Sequence, residues 1–512
     1  MHDKTSADLF SALGVRSGGL DATFATLPDG RRYTYQDLID VSARFGATLQ
    51  ALGVKPGDRV AAQVEKSIEA VMLYFGTVRA GAVFLPLNTG YTASEIAYFL
   101  SDAEPAVFVC DPRRAGELAP IAAASRARLE TMGVWSGPDK PAGTLLEKVE
   151  ATSAPLSEVP LAGDDLAAIL YTSGTTGRSK GAMLTHANLA SNALSLAEAW
   201  RFTSKDVLIH ALPIFHVHGL FVAINVVIAA RARLIFLPRF DTDEIFRHLP
   251  EASVLMGVPT FYTRLLQDAR LSRETTARMR LFVSGSAPLL ADTHREFSQR
   301  TGHAILERYG MTETGMNTSN PYEGERVPGA VGFPLPGVEV RIADQETGGR
   351  LGVDEIGMIE VKGPNVFKGY WRMEEKTKAE FRSDGFFITG DLGKIDARGY
   401  VHIVGRGKDL VISGGYNVYP KEIESEIDAL PGVVESAVIG VPHKDFGEGV
   451  TAVVVRAKNA SLDEAAITAA LKGKLAAFKL PKRIVFVDEF PRNTMGKIQK
   501  NILRETYKGL YG

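Results

Sequence analysis

Cysteine is almost absent. Cys110 is the single one in 512 residues, which excludes an internal disulfide and a cysteine-based metal cluster and suits a reducing compartment. Net charge is nearly absent too: 58 Lys and Arg stand against 60 Asp and Glu, a formal −2. No global field therefore draws the chain to nucleic acid or to an anionic membrane. No stretch approaches the roughly 18 uninterrupted apolar residues of a membrane span. The longest apolar run, Leu220 to Ala230, is broken by Asn225, is followed by Arg231 and Arg233, and reads as a core helix. The amino terminus, Met1-His-Asp-Lys-Thr-Ser-Ala-Asp8, lacks the basic start and apolar run of a signal peptide. Short-period repeats and low-complexity tracts are missing as well. The expectation is a cytoplasmic globular protein with no nucleic-acid and no membrane partner.

Apolar residues make up 45% and charged residues 23%, ordinary shares for a globular chain, so the information lies in order rather than in composition. At 512 residues two or more domains are expected. Helical spacing from Tyr33 to Leu52 (Leu38, Val41, Phe45, Leu49) ends at Gly53, and a strand follows over Arg59 to Val64. A helix is expected over Ile68 to Ala80 and a short strand before Asn88. The alternation recurs over 207–237 and 254–283, which implies helix-covered, largely parallel sheets. From about Gly329 the texture changes: 357–362, 385–391 and 399–405 read as a further small antiparallel sheet. Arg406-Gly-Lys-Asp409, two charged pairs beside a Gly-rich segment, reads as a hinge. Beyond it come a helix over 420–429, strands over 433–441 and 449–457, and a helix over 463–477. The fold class is therefore α/β: a large amino-terminal domain (1–405) of mostly parallel sheets with a small β-subdomain, a hinge (406–409), and a small mobile α+β carboxy-terminal domain (410–512).

The chain is organised around Tyr171-Thr-Ser-Gly-Thr-Thr-Gly-Arg-Ser-Lys-Gly181, behind the apolar run Leu166 to Leu170. Glycines let backbone N–H groups turn inward around an anion, and hydroxyls add donors without bulk. Lys180 adds a positive charge. Polyphosphate binding is the first reading; a flexible surface loop would need neither Arg178 nor Lys180. The spacing is not that of a Walker loop, because Gly174 and Gly177 stand three apart and Lys180 follows three later.

What the loop resembles, at every position from Tyr171 to Gly181, is the signature loop of the adenylate-forming superfamily: acyl-CoA synthetases, peptide adenylation domains and luciferases. Further segments resemble that family in order along the chain: Ser284-Gly-Ser-Ala-Pro-Leu289, Arg308-Tyr-Gly-Met-Thr-Glu-Thr314, Thr389-Gly-Asp391, Gly405-Arg-Gly-Lys408 and Pro491-Arg-Asn-Thr-Met-Gly-Lys497. The resemblance implies ATP binding by Thr172, Ser173, Gly174, Thr175, Thr176, Gly177 and Lys180, and by Ser286, Ala287 and Pro288 around adenine. It adds Glu307, Arg308, Tyr309, Gly310, Met311 and Thr312, with Tyr309 stacking on the base. Asp391 would accept from the ribose hydroxyls, Arg406 would contact ribose and phosphate, and Lys408 would be the pivot. Glu313, with Thr175, would hold Mg²⁺, since a carboxylate facing a phosphate loop suits that ion. Alone, such a glutamate reads as a solvated loop residue. Lys497, in isolation a solvated charge, would stabilise charge developing at the α-phosphorus. Neutralising it by acetylation would abolish that role, which names an acetyltransferase and a deacetylase as regulatory partners. Ser413, Gly414, Gly415 and Tyr416 would bind coenzyme A.

For the acid, His216 (in Pro213 to His218) and Gly257 to Arg264 align with the family's acyl-pocket segments. A buried cation without a partner is costly, so an arginine there predicts an anionic second end on the substrate; Arg264 pointing to solvent is the alternative. Val254 to Leu266, Ser284 to Arg295 and Asn317 to Tyr322 closely resemble malonyl-CoA synthetases. The resemblance implies malonate, with methylmalonate tolerated because one methyl is a small discrimination problem. His216, Arg264, Ser286 and Met311 would bind the acid, with Arg239 and Arg295 as competing cations, and Lys497, Glu313, His216 and Lys180 would be catalytic. A monocarboxylate acyl-CoA synthetase, or an adenylation enzyme loading a carrier protein, shares the nucleotide motifs. A phosphotransferase would not need Lys497.

Overall fold

Thr34 starts the first long helix. Its hydroxyl accepts from the Asp37 N–H (3.0 Å), and the Asp37 carboxylate accepts from the Thr34 N–H (2.7 Å), a reciprocal cap. The helix Tyr35–Ala51 buries Leu38, Phe45 and Leu49 against Ile68–Arg79, a helix buried on every side. The two approach so closely that a Cβ at Gly76 would stand 2.6 Å from the Phe45 Cβ; only glycine fits that crossing. The computed structural model describes residues 8–133, 143–172, 179–414, 416–458, 460–472, 474–493 and 496–511. Ser173, Gly174, Thr175, Thr176, Gly177 and Gly415 lie outside the described residues.

One sheet runs, in spatial order, Gly369–Tyr370, Lys180–Thr185, Leu166–Thr172, Val83–Pro86, Arg59–Gln63, Val107–Cys110 and Arg128–Thr131. It is parallel from Leu166–Thr172 onward and antiparallel at the other edge, where Lys180–Thr185 folds back. A second sheet places Arg233–Phe236, Val207–His210, Val254–Gly257, Leu281–Ser284 and Leu306–Met311 side by side in parallel. The antiparallel strands of 330–406 do not form the separate small sheet expected. They continue the second sheet through Gly315–Ser319 and Ala330–Pro334 to Val401–Arg406, Phe387–Ile395 and Gly357–Lys362. That continuity brings Asp391, on the strand Phe387–Ile395, within reach of Tyr309.

The apolar run 220–230 is helical, as expected, but begins as a π-helix, His218–Ile224, before turning α over Asn225–Ala229. A Cβ at Gly219 would stand 2.0 Å from the Pro213 carbonyl oxygen, so the chain folds back tightly on itself there; π turns of this kind recur at functional sites.

Residues 411–511 have their own sheet, in which Val433–His443 pairs with Gly447–Arg456, and their own apolar cores, one under Pro420–Asp428 and Glu464–Leu471 and one under Lys500–Tyr507. The helix expected over 463–477 stops at Leu471, because Lys472 takes up extended backbone and bridges to Leu475. Cys110 is buried, and burial pushes its thiol pKa up to about 11. Among the described residues no helix is long and apolar enough to cross a membrane.

Candidate active site

The hairpin formed by Leu166–Thr172 and Lys180–Thr185 sets Thr172 opposite Lys180. Lys180 Nζ lies 3.2 Å from Glu380 Oε1 and 4.1 Å above the Tyr370 ring. The Tyr370 hydroxyl stands between Glu313 Oε1 (3.0 Å) and Glu380 Oε2 (2.7 Å). Burial raises the pKa of Glu313, whereas Lys376, Tyr370 and Lys180 together outweigh burial and lower that of Glu380. Motif reading found Lys180 and Glu313 but missed Tyr370 and Glu380. Tyr370 arrives there because Gly369–Tyr370 pairs with the strand that begins at Lys180, a relationship no local sequence pattern marks.

At the other end, strand pairing sets Asp391 directly opposite Arg406. Asp391 accepts from the Tyr309 hydroxyl at 2.5 Å and pairs with Arg406 Nε at 2.6 Å. Gly390, at φ +75°, and the Thr389 hydroxyl, which accepts from the Asp391 N–H at 3.1 Å, shape the strand just before Asp391. Asp391 raises the Arg406 pKa, while burial lowers that of Lys408 in the adjoining 3-10 turn Gly407–Asp409. Asp409 is ion-paired with Arg504.

The last segment closes on this end. A Cβ at Gly496 would touch Thr260 Cγ2 at 3.3 Å, so the turn before Lys497 rests on the helix Pro259–Leu266. As a residue Lys497 keeps exposed surface, yet its ammonium is hemmed in. Burial lowers its pKa to about 8, Arg406 acts the same way, and Asp391 and Asp409 oppose them.

The acyl segments correct the expectation. Arg264 is exposed, its guanidinium 5.8 Å above the Phe240 ring. It is not a buried cation. Of its competitors, Arg295 is paired with Asp292 at 2.5 Å and Arg239 is exposed. The buried arginine is Arg308, which the sequence had assigned to the nucleotide. Side chains alternate along Leu306–Met311, so Tyr309 reaches Asp391 while Arg308 goes to the other face. There Arg308 lies under Gly285, where a Cβ would meet its Cζ at 2.3 Å. Its Nε and Nη2 have no hydrogen-bond partner among the described residues, and burial lowers its pKa to about 9. His218 Nε2 and Ser284 Oγ, also buried, are equally unpartnered.

Ser286 sits on the same loop in left-handed backbone (φ +71°), its hydroxyl 3.3 Å from His218 Nδ1. Ala287 is half-buried and Pro288 exposed. Glu307 accepts from the Gly329 N–H at 3.0 Å, and burial pushes its pKa up to about 8. His216 lines a cavity with Asn88, Tyr171 and Thr312. Burial lowers the His216 pKa to about 4, which keeps the imidazole neutral. Gly310 and Met311, which precede Thr312 in sequence, are half-buried. On the smaller body, Ser413 is buried, Gly414 is left-handed (φ +60°), and Tyr416 is exposed and stacked on Phe478 at 4.7 Å.

The profile of the AMP-binding enzyme family matches residues 16–371, and that of the AMP-binding enzyme C-terminal domain matches residues 422–497. The chain belongs to the AMP-binding enzyme family. Among its AMP-binding relatives, the malonate–CoA ligase of Arabidopsis thaliana is 35% identical over 98% of this chain and 88% of its own. The crystal structure of ATP-bound MatB from Rhodopseudomonas palustris is 63% identical and superposes with a TM-score of 0.96 over 99% of this chain and 100% of that one. Apo MatB from the same organism, 64% identical over the same shares of both chains, superposes at 0.85. The arrangement of this AMP-binding enzyme is therefore nearer the ATP-bound than the apo form.

Proposed function

We propose that the protein is an AMP-forming malonate–CoA ligase that also accepts methylmalonate. One malonate carboxylate attacks the α-phosphorus of ATP, pyrophosphate leaves, and malonyl-adenylate remains. The coenzyme A thiol then attacks the acyl carbon, AMP departs, and the thiol proton is lost. Lys180 follows the phosphates, Lys497 neutralises charge growing at the α-phosphate, and Asp391, Tyr309 and Arg406 hold the ribose end. His216, neutral through burial, walls the acyl path and stores no proton.

The donor set fits Mg²⁺, an ion usually carried on substrate phosphates with one or two protein carboxylates. Glu313 would hold it, with Thr175 of the loop, and when bound it offsets polyphosphate charge. Residues 1–405 would form the nucleotide- and acyl-binding domain. Residues 410–512 would turn about 406–409 to exchange Lys497 for the 413–416 turn between half-reactions, a domain-closure scheme. Acetylation of Lys497 by a regulatory acetyltransferase, reversed by a deacetylase, would silence the first half-reaction. The cytoplasm suits the buried lone thiol.

The malonate assignment rests on Arg308. A buried guanidinium under Gly285, its Nε and Nη2 without a partner among the described residues, with Ser286, Ser284 and His218 nearby, is a costly arrangement that a second substrate carboxylate would complete. The malonate–CoA ligase relatives agree with it. The test is AMP release with ATP, coenzyme A and malonate, methylmalonate, acetate, propionate or octanoate. Malonate far ahead is expected; acetate or octanoate ahead would leave an acyl-CoA ligase and remove the malonate assignment.

A further inference from the structure

Lys66 is a second enclosed cation with no carboxylate partner. It stands on the turn between the strand Arg59–Gln63 and the helix Ile68–Arg79, outside every motif that carries nucleotide chemistry. Its Nζ lies 2.8 Å from His210 Nδ1, 2.8 Å from the His210 carbonyl oxygen and 4.5 Å from the centre of the Phe236 ring. No ion pair of Lys66 with an acidic side chain occurs among the described residues. His210 closes the strand Val207–His210, and its Nε2 lies 2.8 Å from the Gly219 carbonyl oxygen.

These contacts span one loop from end to end. His210 is where the chain leaves the second sheet and Gly219 is where the π-helix begins; His216 lies between. Lys66 arrives from the first sheet. An amine donating to Nδ1 fixes His210 as the tautomer with its proton on Nε2, which is the proton the Gly219 carbonyl needs. Burial holds both Lys66 and His210 well below their ordinary pKa values, and their bonds form a relay from Lys66 through one imidazole to Gly219. The tight fold at Gly219 leaves the loop no slack: Pro213 carbonyl oxygen already occupies the space of a Cβ.

We propose that Lys66 and His210 are positioning residues that clamp the 210–219 loop, and through it His216, against the acyl path. This inference rests on the proposed acyl-CoA ligase reaction for the role of His216. Lys66 touches no substrate in it. It differs from a charge that binds the substrate's second carboxylate, because a clamp serves every acid alike.

Three variants test it: Lys66→Met, which keeps the stem and loses both donated bonds, His210→Phe, which keeps the ring beside Phe236 and loses the relay, and Arg308→Met for contrast. KM and kcat are measured for ATP and for two acids, the best dicarboxylate and the best monocarboxylate of the panel. Expected for both clamp variants is a loss of at least ten-fold in kcat/KM for both acids, with the KM for ATP within two-fold. A shift of about 1 Å at a reacting group commonly carries a loss on the order of 100-fold. A loss confined to the dicarboxylate would make Lys66 a substrate ligand and overturn the clamp. Equal rises in the KM for ATP and for acid would reduce it to general stability and overturn it too. If wild-type protein prefers a monocarboxylate, the malonate assignment fails while the clamp comparison is still read on that acid.

Discussion

Lys180 and Glu380 are ion-paired at 3.2 Å across 200 residues of sequence, so the phosphate-loop lysine already has an anionic partner. ATP must compete for it. Glu380 keeps Lys376 (2.8 Å) and Tyr370 (2.7 Å) when Lys180 leaves, so the exchange strands no charge. Neutralising Glu380 would remove both the competition and the repulsion of incoming phosphate. Glu380→Gln is expected to lower the KM for ATP about five-fold, corresponding to a partly exposed pair worth about 1 kcal/mol. Initial-rate kinetics at saturating malonate read it; an unchanged or raised KM would contradict it.

Lys497 should titrate in the working range. Its pKa, lowered to about 8 by burial, means that the ammonium is lost as pH rises through about 8. The adenylation half-reaction, followed as malonate-dependent ATP–pyrophosphate exchange, should fall above that pH. Lys497→Gln should lie about 100-fold or more lower and show no such fall. The stability effect has the opposite sign. Between about pH 8 and the ordinary lysine value near 10.4 the unfolded chain binds the extra proton, so stability rises with pH there.

Arg308→Met separates a structural arginine from a recognising one. Removing an unpaired buried cation relieves desolvation, so the melting temperature should hold or rise. Malonate should lose its lead over acetate by about 100-fold, the scale of a lost buried charge-assisted contact. A large drop in melting temperature with the lead intact would refute the assignment.

Asp391→Asn leaves Arg406 without its anion and Tyr309 with a weaker acceptor. The expected loss is about 2–3 kcal/mol in urea stability, the worth of hydrogen bonds to a charged group, together with weaker ATP binding by calorimetry. Tyr309→Phe should weaken ATP binding about ten-fold or less with little loss of stability.

The alternation of apolar runs made the helix-covered sheets legible, because parallel strands buried on both faces must be apolar throughout. Glycine, hydroxyl and lysine spacing singled out 171–181 for the same kind of local reason, although 173–178 lie outside the described residues. What escaped was decided by neighbours distant in sequence. Glu380 reaches Lys180 from the end of the helix Glu374–Ala379, ten residues beyond the strand Gly369–Tyr370 that pairs with Lys180–Thr185, and no local pattern marks it. Arg308 was grouped with the nucleotide because a contiguous motif was read as a single surface, although a strand sends Arg308 and Tyr309 to opposite faces. Arg264 was taken toward a wall because helical spacing does not say which face of an eight-residue helix is covered. The π-helix at His218 could not be foreseen, since its cause is one close approach between Gly219 and Pro213.

The burial of Cys110 has a practical side. A protein that handles a thiol cosubstrate offers it no sulfur for disulfide exchange, since a buried thiol with a pKa pushed up to about 11 supplies almost no thiolate. The same silence makes the chain a dark background for optical labels. Val353→Cys and Val434→Cys, at positions 61% and 53% exposed on the two bodies, would take a donor and an acceptor dye with no competing native thiol. Energy transfer between them would then report whether the smaller body turns as ATP, malonate and coenzyme A are added one at a time.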